Sequence, residues 1–188
     1  MTDKKPFVIT IAAVAGGGKT TTTSRLAEIL PNSKALYFDE YDFDERPEDI
    51  LKWVKNGGDP NEWTINPLIN DLLTILHGGE QRVEYILMDY PFAYRHNEMK
   101  KHIDFAIFID TPLDIALARR ILRDFKAATI DMVREDLNGY LSHSREAYIH
   151  MLNTIKPDSD FIVDGSLSLI NIIEIIREEI ERRVVVIS

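Results

Sequence analysis

A glycine-rich stretch near the amino terminus, AAVAGGGKTTTTS at residues 12–24, has the composition of a phosphate-binding loop. Such a loop needs glycines whose backbone N–H groups face the phosphates, a lysine for the outer phosphates and a Ser or Thr hydroxyl for Mg²⁺. In the usual pattern, G-x-x-x-x-G-K-[ST], the first glycine would fall at position 13, where this chain has Ala13. The alternative is a glycine turn with Lys19 in solvent. The predicted nucleotide-binding residues here are Ala15, Gly16, Gly17, Gly18, Lys19, Thr20 and Thr21.

Two aspartates follow apolar runs and could serve phosphoryl transfer. Asp39 begins DEYDFDE, and a carboxylate there can accept the proton of an attacking hydroxyl or bind Mg²⁺ through water. Asp89, in ILMDYPF, resembles a Walker B carboxylate. Thr20, Asp39 and Asp89 are therefore the predicted metal ligands. Because Tyr90 stands where many motor ATPases have a water-activating glutamate, hydrolysis is disfavoured as the main reaction.

An arginine cluster lies in the segment DTPLDIALARRILRDFK. Arg119 and Arg123 are four residues apart and share one face of a helix, whereas Arg120 is turned away from Arg123. Such a face suits a lid that neutralises the transferred charge. Lys19, Asp39, Arg119 and Arg123 are thus predicted to be catalytic, and Arg120 to contact the nucleotide. A surface pair between Arg120 and Asp124 is the alternative.

The elements that must position these residues alternate along the chain. Short apolar runs predict buried strands at 7–12, 35–38, 85–88, 105–109 and 161–163, and amphipathic runs predict helices at 20–30, 47–55, 67–77, 112–125, 130–155 and 169–183. This alternation predicts an α/β fold, a five-stranded parallel sheet with helices on both faces. Ligands of such sheets bind beyond the carboxyl ends of the strands, which is where the candidate residues fall.

Composition limits the class of protein. The chain has 188 residues, 45% of them hydrophobic, which suits one domain with one substantial core. A formal net charge of −9 argues against nucleic acid and anionic membranes as partners. There is no cysteine, and the five histidines lack metal-ligand spacing. The first apolar run is too short for a membrane span, so we expect a cytoplasmic protein.

The order of these parts resembles the P-loop kinases of the uridine kinase and nicotinamide riboside kinase type. Besides the glycine loop, the resemblance rests on LPNS at 30–33, FDEYDF at 38–43, the ARRILRD helix and the late DFIVDGSLSL segment. It implies a three-layer P-loop NTPase fold in a single domain, 1–188, with a small lid at about 119–135. It also implies ATP and Mg²⁺ as cofactors and Asp39 as the catalytic base.

The acceptor is predicted to be a nucleoside-like small molecule. Acidic residues outnumber basic ones two to one between positions 31 and 100, which disfavours a second phosphate and favours a neutral or cationic hydroxyl compound. Asn66 matches a position where nicotinamide riboside kinases use an aspartate against the ribose hydroxyls, and an amide can still hydrogen-bond a diol. The predicted substrate contacts are Asp39, Tyr41, Asn66 and Tyr90.

Two functions are compatible with these residues. The favoured one is an ATP-dependent phosphotransferase with a hydroxyl acceptor. The alternative is a nucleotide-binding regulatory NTPase without an acceptor, which the absence of a guanine-reading N-K-x-D sequence disfavours. The apolar run VVVI at 184–187 leaves a homodimer open.

Overall fold

A five-stranded parallel sheet forms the centre of the computed structural model, which describes residues 5–78 and 82–187, the side chains of 186 and 187 excepted. The strand order is β2-β3-β1-β4-β5. The strands are β1 (Phe7–Ala12), β2 (Ser33–Tyr37), β3 (Tyr85–Asp89), β4 (Phe105–Asp110) and β5 (Phe161–Asp164). All four ladders are parallel, so the predicted sheet is confirmed.

Seven α-helices connect and cover the strands in the described part of the chain: α1 (Lys19–Ile29), α2 (Ile50–Lys55), α3 (Asn66–Leu76), α4 (Leu113–Asp124), α5 (Ile130–Gly139), α6 (Arg145–Thr154) and α7 (Leu169–Ile187). A π-helical turn, Tyr140–Ser144, joins α5 to α6 within the segment predicted as one helix. The helix predicted from position 47 begins at Ile50. Its start is set by Asp49, whose carboxylate accepts a hydrogen bond from the Lys52 backbone N–H at 2.9 Å.

Alternating side chains of the strands build a core on each face of the sheet. Val8 and Ala12 of β1 pack on the face covered by Leu68 and Leu72 of α3. The alternate residues of β1, Ile9 and Ile11, point to the opposite face of the sheet, which α1 and α7 cover. The buried apolar residues of these two helices on that face include Leu26, Ile176 and Ile180. Both faces are therefore buried, which is why the strands read as continuous apolar runs and which confirms the three-layer architecture.

The strand register brings three carboxyl ends to one level. Asp89 at the end of β3 lies opposite Ile11 of β1 on one side and Tyr37 of β2 on the other. β2 was predicted to extend to Phe38, but Phe38 instead begins a short 3₁₀ turn, Phe38–Glu40, that contains Asp39. The loop after β1, the end of β3 and this turn are consequently neighbours.

Candidate active site

The glycine loop between β1 and α1 is tightly folded. Gly16 and Gly18 have φ of +79° and +99°, which glycine adopts without a steric cost. Ala13 is not among the residues with positive φ, so the loop closes without a glycine there. A Cβ on Gly17 would stand 2.8 Å from the Ala13 Cβ. The missing side chain of Gly17 therefore makes room for the alanine that departs from the usual pattern.

Lys19, the first residue of α1, carries its ammonium group to two carboxylates. Its Nζ donates to Asp89 Oδ1 at 2.6 Å and to Asp39 Oδ2 at 3.0 Å. The Thr20 hydroxyl donates to the other oxygen of Asp89 at 2.5 Å. Burial alone would lower the pKa of Lys19, but attraction to Asp89 and Asp39 outweighs burial and raises the pKa. The lysine is thus fixed as a cation at the mouth of the glycine loop.

The two aspartates differ sharply in exposure. The Asp89 side chain is 2% exposed, whereas that of Asp39 is 76% exposed. Asp89 is therefore held in place by its two hydrogen bonds, and Asp39 remains accessible to a molecule that approaches from solvent.

A cleft of about 310 Å³ opens above the glycine loop. It brings together most of the predicted nucleotide-binding and catalytic residues, and Val14, which the sequence did not single out; its lining is Val14, Ala15, Gly16, Gly18, Lys19, Thr20, Thr21, Asp39, Arg119 and Arg123. A second cleft of about 250 Å³ adjoins it, lined by Gly17, Gly18, Thr21, Thr22, Arg119, Leu167, Leu169 and Ile172. The three leucine and isoleucine side chains make this second cleft the more apolar of the two.

The three arginines of α4 separate as their helical spacing predicts. Arg119 and Arg123 line the first cleft, and Arg119 also donates to the Gly165 carbonyl at 3.2 Å. Arg120 does not line either cleft. Its guanidinium makes two hydrogen bonds to the Asp136 carboxylate of α5, at 3.0 and 2.5 Å. Asp124, considered above as a surface partner of Arg120, pairs with Arg123 at 2.6 Å.

The predicted substrate residues other than Asp39 do not line either of these two clefts. The Tyr41 hydroxyl donates to Asp71 at 2.9 Å; burial first and this hydrogen bond second raise the pKa of Tyr41. Asn66 is exposed at the start of α3. Tyr90 is completely buried in an aromatic cluster with Phe38 and Phe92, and its hydroxyl has no hydrogen-bond partner among the described residues. The structure therefore places Tyr90 in the core rather than on an open surface.

Sequence reasoning missed residues that support the loop from β4 and β5. The Thr111 hydroxyl, just beyond β4, donates to the Gly17 carbonyl at 2.9 Å. A Cβ on Gly165 would stand 1.9 Å from the Thr111 hydroxyl oxygen, so only glycine fits beside it. Their positions after strand ends were the available signal, because that edge of the sheet binds ligands.

No group of three or more His, Asp or Glu side chains within 5–78 and 82–187 could hold a metal ion by itself. Mg²⁺ often binds through one or two protein oxygens and substrate phosphates instead. The Thr20 hydroxyl and the Asp89 carboxylate, already in contact, offer such oxygens at the loop, and Asp39 lies across Lys19 from them.

None of the helices in the described ranges is long and apolar enough to cross a membrane.

Comparison of the sequence with known families and curated proteins gives consistent matches. Residues 87–167 match the model of the phosphoribulokinase / uridine kinase family, a range that begins in β3 and so excludes the glycine loop. A uridine kinase of Oceanobacillus iheyensis is 25% identical, covering 87% of this chain and 88% of its own. A uridine kinase of Streptococcus pyogenes is 23% identical, with 94% and 96% covered.

Solved structures share the fold at lower sequence identity. A putative fructose transport system kinase from Silicibacter sp. TM1040 superposes with a TM-score of 0.57 and 12% identity, covering 86% of this chain and 91% of that one. The tunicamycin resistance protein of Deinococcus radiodurans gives a TM-score of 0.54 and 17% identity, with 94% and 96% covered. The chain is thus similar to uridine kinases over most of its length, and these matches, together with the fold and the phosphate loop, support a uridine kinase-like P-loop kinase, an ATP-dependent small-molecule kinase.

Proposed function

We propose that this kinase transfers the γ-phosphoryl group of ATP to a hydroxyl of a nucleoside-like small molecule. The observation that carries the proposal is the placement of Asp39, an exposed carboxylate 3.0 Å from the Lys19 ammonium at the edge of the phosphate cleft. A regulatory NTPase has no need of a second, accessible carboxylate at this point. An acceptor hydroxyl between Asp39 and the cleft would meet a proton acceptor and the γ-phosphate together.

The phosphates of ATP fit the cleft above the glycine loop. Backbone N–H groups at the start of α1 and the Lys19 ammonium bind them, and Lys19 exchanges its carboxylate partners for phosphate oxygens. Thr20 and Asp89 would hold Mg²⁺, with Asp39 near enough to contribute through water. The ion, when bound, neutralises charge on the β- and γ-phosphates.

The nucleotide base fits the second, more apolar cleft. Leu167, Leu169 and Ile172 offer a surface for a flat ring, and Arg119 borders both clefts. Arg119 can therefore contact both the base and the phosphates of the nucleotide, whereas Arg123 lines only the phosphate cleft.

In the transfer step the acceptor oxygen forms a bond to the γ-phosphorus as the bond from that phosphorus to the β-phosphate oxygen breaks. The hydroxyl proton passes to a carboxylate oxygen of Asp39, and ADP is the leaving group. Arg119 and Arg123, lining the cleft, stabilise the charge on the group in transit.

The acceptor side favours an uncharged or cationic molecule. Carboxylates are in excess there, and Tyr41 bonds to one of them, Asp71. Relatives named uridine kinase support a nucleoside as the first compound to test. We retain Tyr41 and Asn66 as proposed substrate contacts, whereas a contact with Tyr90, whose side chain is completely buried, is tested separately by Tyr90→Phe. The cytoplasmic location and the homodimer stay predictions.

The test is ADP release by the purified protein with MgATP and each of several acceptors: uridine, cytidine, nicotinamide riboside, pantothenate and simple sugars. We expect one class of acceptor to stimulate release above the acceptor-free rate. Asp39→Asn should lower that stimulated rate by about two to four orders of magnitude, the usual contribution of a general base. ADP affinity should change far less, because the substitution keeps the shape of the side chain.

Asp44→Asn is the matched control. It removes an exposed carboxylate from the same acidic segment and should leave the stimulated rate unchanged. If no acceptor stimulates ADP release while nucleotide still binds, the regulatory NTPase is the better explanation. Full stimulated activity in Asp39→Asn would leave the kinase in place and remove Asp39 as its base.

A further inference from the structure

Arg120 lies behind the phosphate loop rather than in front of it. A Cβ on Gly16 would stand 2.1 Å from the Ala116 carbonyl oxygen and 3.1 Å from the Arg120 Cβ, so α4 packs directly on the loop at Gly16. Arg119 and Arg123 border the cleft, and Arg120 does not. A cationic side chain at the back of the loop needs another role than phosphate binding.

The partner of Arg120 is a carboxylate of a different helix. Two guanidinium nitrogens donate to the two oxygens of Asp136 in α5, and both side chains are largely shielded, with exposures of 16% and 23%. A two-bond arginine–carboxylate pair fixes orientation as well as distance. Shielding from water makes such a pair stronger than an exposed one.

An apolar contact runs beside this ion pair. Val14 of the loop and Ala116 of α4 pack in one buried cluster with Tyr140 and Tyr148, whose rings lie 5.4 Å apart. Tyr140 begins the π-helical turn that follows α5. The segment from α5 to α6 is thus joined to α4 by the ion pair, and to both α4 and the phosphate loop by the apolar cluster.

We propose that Arg120 and Asp136 form a latch that holds α5 against α4, the helix that packs on the phosphate loop, and that Arg120 is a positioning residue rather than a phosphate ligand. With the latch closed, α4 is pressed on Gly16 and the backbone N–H groups of the loop keep the arrangement that nucleotide phosphates require. This assignment takes the place of the nucleotide contact expected for Arg120 from sequence. It rests on the proposed nucleotide site and is independent of the acceptor.

The two roles of Arg120 make opposite predictions for Asp136→Asn. For a latch, Arg120→Gln and Asp136→Asn should each weaken MgADP binding, by about tenfold, within the range measured for coupled pairs. The double variant should then also lose about tenfold rather than a hundredfold, because either single change already opens the latch. For a phosphate ligand, Asp136→Asn would release Arg120 and leave MgADP binding unchanged or tighter, which would overturn the proposal.

Helix α5 offers a matched control. Arg134 and Asp131 form an exposed ion pair within α5, at 3.3 Å, and neither pairs with a charged side chain of another helix among the described residues. Arg134→Gln and Asp131→Asn make the same two changes of charge, both within α5, and neither should alter MgADP binding. Weaker binding in these variants to the same extent would show that α5 responds to charge in general and would contradict a specific latch.

Hydrogen exchange of the free protein gives a readout that needs no nucleotide. Asp136→Asn should increase deuterium uptake in residues 129–144 while uptake in β1 and β3 stays at the wild-type level. An equal increase of deuterium uptake in residues 129–144 and in the two strands would indicate global destabilisation instead of latch opening. Unchanged uptake in 129–144 would refute the latch. Acceptor-dependent ADP release is a separate measurement, so its failure would count against the proposed function alone.

Discussion

In the phosphate loop, Gly16 lies directly against α4, whereas Gly18 has open space around it. Alanine substitutions at these two positions can therefore be compared. Both have positive φ, so an alanine at either position costs about 1 to 2 kcal/mol in backbone strain. A Cβ at Gly18 would meet nothing within 4 Å, whereas one at Gly16 would overlap the Ala116 carbonyl. We expect Gly16→Ala to lower the free energy of unfolding by about 1 to 3 kcal/mol more than Gly18→Ala does.

Denaturant unfolding of the two variants without nucleotide measures that difference directly. Equal losses of stability would mean that the loop relaxes away from α4 at no cost. Such a result would also weaken the case for a latch, because the latch acts through this contact.

Measurements of stability can also test the role of the Tyr90 hydroxyl. It is buried without a partner among the described residues, so its desolvation opposes folding. Tyr90→Phe should raise the free energy of unfolding by about 1 kcal/mol. Tyr94→Phe provides the contrast, since the Tyr94 hydroxyl donates to Asp160 and its loss should lower stability by a similar amount.

If Tyr90 also contacts the acceptor, the same variant should show a higher KM for the acceptor with little change in KM for ATP. A gain in stability with unchanged KM for both would assign Tyr90 to the core alone. A loss of stability would mean that the hydroxyl has a partner in the folded protein.

At the scale of elements, the sequence predicted what depends on local pattern. Buried strands with both faces covered are continuous apolar runs, so β1 was predicted with its observed ends. β3 and β4 run one residue further than predicted, through Asp89 and Asp110, because backbone pairing continues past the last apolar side chain. The strand ends then placed Asp39 and Asp89 at the phosphate loop, as the fold requires.

Contacts between distant elements were beyond the same reasoning. Arg120 and Asp136 are sixteen positions apart on different helices, and no periodicity relates them. The support of Gly17 by Thr111 joins residues 94 positions apart and likewise depends on how β4 lies beside β1. Helical spacing did turn Arg120 away from Arg123, but it could not predict that Arg120 pairs with Asp136 of α5.

The attachment of α7 to the sheet involves a buried carboxylate, so its contribution to the free energy of unfolding should depend on pH. Glu179 is buried in α7 and accepts hydrogen bonds from Arg182 and, at 2.7 Å, from Arg183. The Arg183 guanidinium lies 4.0 Å from the centre of the Phe105 ring in β4. Burial on its own would raise the pKa of Glu179, but the hydrogen bonds from Arg183 and Arg182 outweigh it and lower the pKa.

A carboxylate whose pKa is lowered by folding stabilises the folded state above the pKa of the unfolded chain, about 4.3, and loses that contribution as the pH falls through the lower, folded value. Glu179→Gln should therefore reduce the free energy of unfolding by about 1 to 3 kcal/mol near neutral pH. The difference from wild type should stay constant down to about pH 5.5 and shrink below about pH 4.3, because the protonated glutamate then resembles glutamine.

Urea unfolding of both proteins between pH 3.5 and 7.5 tests this, with Glu181→Gln as the control. Glu181 is exposed in the same helix and pairs with Arg177 four residues away, so its replacement should cost no more than a few tenths of a kcal/mol at any pH. A Glu179→Gln deficit that persists unchanged at pH 3.5 would mean that shape and packing, not the charge shared with the two arginines, hold the end of α7 to the sheet.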